Sequence, residues 1–393
     1  MNTSKYMISE SLARADRVIR PLLVRGLPSW LTTLLYSHGR QFFLNRFVLD
    51  IPNQVYTPDP ELERTCWGVK FRFPLFNAAG MFKNGEGYPV VARQGAGAYL
   101  AGTTTANARL GNVKKHIQLP FVSYPASGAA SNWLGLPNEG DSVVAARLNN
   151  ELHLYRCPIG ASTMSSPDFE GNAQLEKLVT GMRAYERAGV DFIEWNDSCP
   201  NTNHDSSDFH ALIRRVQYVK EHFLDQRIVD TIHRTRPVPV IWKPSPDISS
   251  QGVSAYLDIA FNAGIDGINF ANTSKLYALH AKNIAPSERR LYEYYTKTFG
   301  GGVSGRPLTE ISLELAASAV EYLRAGPPSH EFHVIRTGGI FGTDDLLDSD
   351  ADGVSLNEWF TGYLDAFAQH GHQVYETIHQ KYLQEKRAEA VVL

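Results

Sequence analysis

Eight short runs of apolar or β-branched residues, most of them followed by a helical pattern, limit this chain to very few folds. They start near Leu75, Ala98, Cys157, Asp191, Pro239, Gly267, Phe332 and Gly353. Helical patterns fit 86–95, 142–151, 173–188, 207–235, 250–263, 307–325 and 361–385, with a short turn at 343–349. Strands that alternate with helices run parallel and are covered on both faces, so they read as continuous apolar runs. Eight such units over about 300 residues predict an α/β fold, the (β/α)8 TIM barrel. A doubly wound open sheet is the runner-up. It would want a Gly-rich dinucleotide turn after the first strand, and Ala78-Ala79-Gly80-Met81-Phe82-Lys83 is not GxGxxG.

The first 50 residues differ from the rest. They carry seven Lys or Arg against three Asp or Glu, a net of +4, which leaves −7 for the remainder. Leu12, Val18, Ile19, Leu22 and Leu23 share a helical face, with Arg14, Arg17, Arg20 and Arg25 interspersed. Leu31, Leu34, Leu35, Phe42 and Phe43 mark a second segment. Such helices either cap a core or lie on a membrane surface. The expected division is an amphipathic helical extension over 1–50, a linker over 51–63 and the barrel over 64–393.

The whole chain has a net charge of −3, which gives no nucleic-acid footprint. Its three cysteines, Cys66, Cys157 and Cys199, have no CxxC or metal-ligand spacing, which points to a reducing compartment. No run is long enough to span a membrane and no secretory signal is visible. A cytoplasmic location is expected, peripheral on the membrane if the extension binds there.

In a barrel the active site forms at the C-terminal ends of the strands. Lys83 follows the first run, and the long loop after the second holds Asn132-Trp133-Leu134-Gly135-Leu136-Pro137-Asn138. Asn196, Cys199 and Asn201 follow the fourth. Lys243 ends the fifth, Asn272 and Thr273 follow the sixth, and Gly338-Gly339 and Phe360-Thr361 end the last two. One lysine at a strand's end is ordinarily a solvated surface residue. Two lysines and four asparagines at one mouth suggest an anionic, amide-rich ligand, because a buried lysine needs something negative to meet it. A thiol takes a proton once it is a thiolate, although the hexapeptide around Cys199 alone reads equally as a turn with a buried cysteine. The two last loops of a barrel often hold phosphate. Gly300 through Gly305 add a third loop that backbone could use to approach a ligand, or simply to turn. Asp348, Asp350, Asp352 and Gly353 imitate a calcium loop, but Trp359 stands where its glutamate should be. His204 and His210 match no zinc spacing, and no metal is expected.

Phe76-Asn77-Ala78-Ala79-Gly80, Lys83, Gly102-Thr103, Gly111-Asn112, Leu119-Pro120, Asn132 through Asn138, Asn196 through Thr202, Lys243, Pro246-Asp247, Asn272-Thr273, Gly301 through Gly305 and Gly338-Gly339 follow one another in a familiar order. In order and spacing the chain resembles the dihydroorotate dehydrogenase family over residues 64 to 380. The resemblance implies an FMN enzyme on a (β/α)8 barrel that oxidises dihydroorotate to orotate in pyrimidine synthesis. It implies Cys199 as the base for the C5 proton, with hydride passing from C6 to flavin N5. Asn132, Asn196, Asn201 and Asn272 would hold the pyrimidine and its carboxylate, with Lys83 near the carboxylate and Leu134, Gly135, Leu136 and Thr273 around the substrate. Lys243 would sit by the flavin N1/O2 edge and stabilise the reduced flavin anion. Ala78, Ala79, Gly80, Gly102, Thr103, Ser162, Ser304, Gly305, Gly338, Gly339, Phe360 and Thr361 would contact flavin and phosphate, as would Lys83, Asn132, Asn196 and Asn272.

The resemblance is mixed at subclass level. Cys199, Gly135-Leu136-Pro137-Asn138 and Ala161-Ser162-Thr163-Met164-Ser165 are similar to the soluble class 1. The extension, with Arg20-Pro21-Leu22-Leu23, resembles class 2, whose two helices form a membrane-facing quinone tunnel. Gln118 stands where class 2 has an arginine, and Glu358 where glutamine is common. The electron acceptor is therefore open between quinone and fumarate, and a homodimer is a possible partner state. The alternative functions are a related FMN oxidoreductase acting on another reduced pyrimidine or cyclic amide, and a non-catalytic flavin-binding protein.

Overall fold

The computed structural model describes residues 7–152, 154–197, 209–229 and 236–392. Helices α1 (Ile8–Gly26) and α2 (Ser29–Phe47) come first. A hairpin of Arg64–Cys66 and Val69–Phe71 follows. Eight strands then alternate with helices: β1 (Leu75–Asn77), β2 (Tyr99–Thr104), β3 (Ile159–Thr163), β4 (Phe192–Asn196), β5 (Val240–Lys243), β6 (Gly267–Ile268), β7 (His333–Thr337) and β8 (Leu356–Trp359). They hydrogen-bond in the order β1-β8-β7-β6-β5-β4-β3-β2, each pair parallel. The expected barrel is present, with each strand beginning within a few residues of its predicted start.

The seam between β1 and β2 is closed by a side chain. Asn77 acts as a backbone group would: its Nδ2 donates to the Leu100 carbonyl at 2.7 Å, and its Oδ1 accepts from the Leu100 N–H at 3.3 Å. Beyond it the Gly80 N–H donates to the Gly102 carbonyl at 2.6 Å, and the Gly102 N–H donates to the Phe82 carbonyl at 2.9 Å. The rings of Phe71, Phe76 and Phe192 meet pairwise at 5.6 to 5.9 Å and floor the barrel beneath the strands' polar residues.

Around the barrel run α3 (Tyr88–Gln94), α4 (Asp141–Glu151), α5 (Gly171–Ala188), α6 (Phe209–His222), α7 (Val253–Ala263), α8 (Arg289–Thr298), α9 (Thr309–Ala325), α10 (Thr343–Asp352), α11 (Thr361–His370) and α12 (Val374–Val392). Three of these differ from the periodicity. The expected turn at 343–349 is a ten-residue helix. Its start is stabilised by Asp345, which accepts from the N–H groups of Phe341 and Gly342 at 2.8 and 3.1 Å. The expected helix 361–385 is broken at Gly371, which has φ +59° and packs against Glu10, where a Cβ would collide. The pattern over 207–235 yields α6 and then a 3-10 turn at Leu224–Gln226.

In the extension the apolar row of α1 faces outward. The face that α1 buries holds Ser9, Ala13 and Val24, while Val18, Ile19 and Leu22 are exposed. Arg20 decides the orientation. Its guanidinium pairs with Asp16 and reaches Ser123 Oγ at 3.2 Å, so its side of the helix turns inward and the apolar row turns out. Trp30, Leu35 and Phe42 of α2 are exposed as well. The inner side of α2 packs on an antiparallel sheet of Phe121–Tyr124, Ala129–Asn132 and Gly302–Gly305, which joins the loop after β2 to the loop after β6.

Candidate active site

The C-terminal ends of the strands open into one cavity of about 990 Å³, counting the part open to solvent. Its wall contains Ala78, Ala79, Gly80 and Lys83 after β1, Thr103 on β2, and Asn132, Leu134 and Leu136 in the long loop. Asn196 and Lys243 come from β4 and β5, and Asn272 and Thr273 follow β6. Ser304, Gly305, Gly338, Gly339, Phe360 and Thr361 complete it. Three expected residues lie outside this wall. Gly102 is packed backbone to backbone at the seam, and a Cβ there would strike the Ser162 carbonyl. Gly135 is pressed against the Asn112 side chain. Ser162 sits one layer deeper, bonded to Thr103 Oγ1 at 2.9 Å and to Glu194 Oε1 at 2.8 Å. Cys199 and Asn201 lie outside the described residues.

The deeper layer holds a charge cluster. Strand alternation sends Phe192, Glu194 and Asn196 inward and Trp195 outward, where it stacks on Trp242. Lys243 Nζ donates to Glu194 Oε2 and to Glu358 Oε2, each at 2.8 Å, and all three side chains are buried. The lysine's counter-charge is therefore supplied by the protein's own carboxylates, whereas the strand-end lysines had suggested a ligand. Burial lowers the Lys243 pKa, but the two glutamates outweigh it and the net shift is up to about 12, so the ammonium stays charged. Glu358 is pushed the other way for an acid. Burial and the neighbouring Glu194 raise its pKa despite Lys243.

Above this layer stands a rim of amides. Asn272 Nδ2 donates to Asn196 Oδ1 at 3.2 Å, and Asn196 Nδ2 donates to Thr103 Oγ1 at 2.9 Å. The Asn272 oxygen accepts from the Thr273 N–H at 2.9 Å. The long loop is set by Asn138, whose Nδ2 donates to the Leu136 carbonyl and to Thr105 Oγ1, both at 2.9 Å. These bonds orient the amides before any ligand arrives.

Two of the three thiols are unsuited to base chemistry. Burial pushes Cys66 up to about 12 and raises Cys157 as well. The third, Cys199, is two residues past Asp197, which is firmly anchored. The Asp197 N–H donates to the Lys243 carbonyl at 3.1 Å, and its carboxylate takes both Arg215 bonds at 3.0 and 3.1 Å.

Sequence reasoning missed several wall residues, among them Arg40, Phe121, Thr337 and Trp359. Arg40 reaches the cavity from α2, 3.4 Å from the Gly80 carbonyl and 5.7 Å from the centre of the Phe121 ring. Burial lowers its pKa to about 10. Thr33, Ser37 and Arg40 fall at i, i+4 and i+7, a polar stripe that was the available signal. Glu194 was legible too, since it is in phase with Asn196.

The cavity fits a planar ring with a phosphate tail. Gly80 has φ +97°, and a Cβ there would project between Lys83 Nζ (3.7 Å) and the Phe360 ring (3.8 Å), so that stretch of wall is cleared down to backbone. At the other end α11 begins with Thr361, whose Oγ1 is bonded to Ser304 Oγ at 3.0 Å. The first N–H groups of a helix have no partner within it and favour an anion.

Residues 61–384 match the family profile described as dihydroorotate dehydrogenase. The chain is 30% identical over 309 residues to a dihydroorotate dehydrogenase (quinone) of Nocardia farcinica, covering 78% of this chain and 76% of that one. It is 25% identical over 364 residues to the protein of the same name from Trichormus variabilis, covering 88% and 89%. A crystal structure of DHODH in complex with ferulenol from Eimeria tenella aligns with a TM-score of 0.75 at 21% identity, over 95% of this chain and 96% of that one. At that identity the structural likeness speaks for the fold.

Proposed function

The chain belongs to the dihydroorotate dehydrogenase family, and from that premise we propose that it oxidises dihydroorotate to orotate, with FMN as hydride acceptor. The observation that carries this reading is the bonded amide rim, Asn196 with Asn272, set beside Asn132 and Lys83 in one cavity wall. Orotate is planar, rich in amide groups and anionic, so it presents what such a rim and a lysine can hold.

When bound, the flavin supplies a two-electron acceptor that no side chain provides. Ala78, Ala79, Gly80, Thr103, Lys243 and Gly305 would hold its ring, and Ser304, Gly338, Gly339 and Thr361 its phosphate. Asn132, Asn196, Asn201 and Asn272 bind the substrate's amide edges, and Lys83 faces its carboxylate. Leu134 and Leu136 exclude water from that side. Cys199, as thiolate, takes the C5 proton on Sγ. Lys243 holds a fixed positive charge where negative charge develops, and being already oriented by two carboxylates it needs no rearrangement.

For the oxidant the names of the relatives favour quinone. Arg40 and Phe121 give such an acceptor a polar and an aromatic contact at the cavity edge. The outward apolar row of α1 and α2, with arginines between, suits the extension over 1–50 to a membrane surface. No helix among the described residues is long and apolar enough to cross a membrane.

The test is anaerobic addition of dihydroorotate to fully flavinated protein. Bleaching of the yellow flavin is expected. A flavin that stays oxidised would overturn the assignment, and equal bleaching by dihydrouracil, which lacks the carboxylate, would remove Lys83 from its role.

A further inference from the structure

The cluster beneath the amide rim has one positive and two negative groups, and they are not bonded alike. Glu194 is fully served: Ser162 Oγ donates to Oε1 at 2.8 Å, and Lys243 Nζ donates to Oε2 at 2.8 Å. Asn269 Nδ2 approaches Oε2 at 3.5 Å. Glu358 is served on one oxygen. Its Oε2 accepts from Lys243 Nζ at 2.8 Å and from Thr337 Oγ1 at 2.9 Å, while its Oε1 is buried with no donor. A carboxylate oxygen buried without a donor is costly as an anion, and a proton there removes the charge. The two carboxylates are held close together by the ammonium they share, Lys243 Nζ lying 2.8 Å from each.

The groups that face Glu358 are few. Phe76 of β1 pairs with it in register, Thr337 comes from β7, Lys243 from β5 and Glu194 from β4, and Asn269, just past β6, donates to Thr337 Oγ1 at 2.9 Å. The charged ones are Lys243 and Glu194. With both glutamates ionised the cluster would be net negative, beneath the cavity that Lys243 lines and that would hold a flavin. With one proton on Glu358 it is neutral.

We propose that Glu358 is a redox-linked proton-binding residue: it holds a proton on Oε1, and it binds that proton more tightly once a flavin held in the cavity has been reduced. This rests on the flavin reading of the cavity, but not on which substrate reduces the flavin. In the family reaction a hydride leaves the substrate for the flavin, and a proton leaves it for the base. The flavin thereby gains one negative charge, and the substrate's proton never enters the cluster. The proton on Glu358 comes from water and returns to water. Reoxidation takes two electrons and a proton from the flavin, and with them the charge that favoured it. Burial and Glu194 already raise the acid's pKa in the ring's absence, and a further negative charge nearby raises it again.

The experiment uses the flavinated enzyme reduced with dithionite, so the substrate plays no part. The carboxylic-acid C=O stretch is followed by infrared spectroscopy from neutral to alkaline pH, oxidised and reduced, in wild type and Glu358→Gln. The wild-type acid band is expected to titrate at higher pH when reduced, by roughly tenfold in proton affinity, the size of one charge about 10 Å away at an effective dielectric of about 20. In Glu358→Gln the band is absent in both states. Potentiometry should show more protons taken up per two electrons in wild type than in the variant over the alkaline range. No acid band, or the same midpoint in both redox states, overturns the proposal. A band that survives in Glu358→Gln moves the proton to another residue and overturns the assignment to Glu358. If the variant loses flavin, the wild-type titrations still decide the redox linkage. Failure of dihydroorotate to bleach the flavin would count only against the substrate reading.

Discussion

Asn272 donates to Asn196 at 3.2 Å, which joins the chain after β6 to the end of β4 across 76 residues of sequence. Each amide thus positions the other, and in the proposed site both would meet the ligand. Asn196→Ala and Asn272→Ala should each raise the KM for dihydroorotate by about 10- to 100-fold, the scale of one or two hydrogen bonds to a polar ligand. The double variant should fall short of the product of the two, because the second substitution has no partner left to disturb. Steady-state kinetics of the three proteins measures this, and fully multiplicative effects would show that the contact is idle.

Cys199→Ala should keep its flavin and slow reduction by dihydroorotate at neutral pH by about 10² to 10⁴, the usual worth of a positioned base. Cys66→Ala and Cys157→Ala should reduce at the wild-type rate, since burial holds both thiols protonated. Anaerobic stopped-flow absorbance reads all three. An unchanged rate in Cys199→Ala places the base elsewhere.

Arg40 comes from the extension and not from the barrel, so it offers a way to separate the two half-reactions. Arg40→Ala should slow reoxidation by a soluble quinone by roughly tenfold, the loss of one charge-assisted hydrogen bond. Reduction by dihydroorotate should suffer much less. Double-mixing stopped-flow, with fumarate as a second oxidant, distinguishes these outcomes. A larger effect on reduction would assign Arg40 to the substrate instead.

His379 is buried against the Phe73 ring, 3.9 Å between centroids, with neither ring nitrogen hydrogen-bonded. Burial, with a smaller push from Arg72, lowers its pKa to about 3. The folded protein therefore holds it neutral, while the unfolded chain protonates it near its ordinary value of about 6.5. Its contribution is fully present above that value and is lost as pH falls through it toward the folded value. Below pH 6.5 or so the wild type should lose up to about 1.4 kcal/mol per pH unit relative to His379→Phe. Urea denaturation at several acidic pH values tests this, and parallel stability curves would refute it.

The barrel could be read from the sequence because parallel strands buried on both faces leave continuous apolar runs, and all eight did. The strand-end residues followed from that placement, which is why Lys83, Asn132, Lys243 and Asn272 fall on one cavity wall. Other features depended on contacts between distant residues. The break at Gly371 needs Glu10 to be seen, and the outward turn of Val18, Ile19 and Leu22 needs Ser123 as the partner of Arg20. Glu358 read only as a departure from the glutamine common at its place in the last strand. Its meaning depends on Lys243 and Glu194, which lie on two other strands.

Glu10 on α1 accepts the His372 N–H at 2.9 Å, a contact spanning 362 positions. A ribosome adding about 5 to 20 residues per second needs roughly 20 to 70 s to travel from one to the other. Throughout that interval α1 has emerged but lacks its seat at the start of α12, and its apolar row is in the open. Helix α1 thus leaves the ribosome long before this contact can form. The mouth of the barrel acquires its N-terminal wall after the strands beneath it have been made. In a cell, whatever greets that helix in the meantime, a chaperone or a lipid surface, meets it before the barrel does.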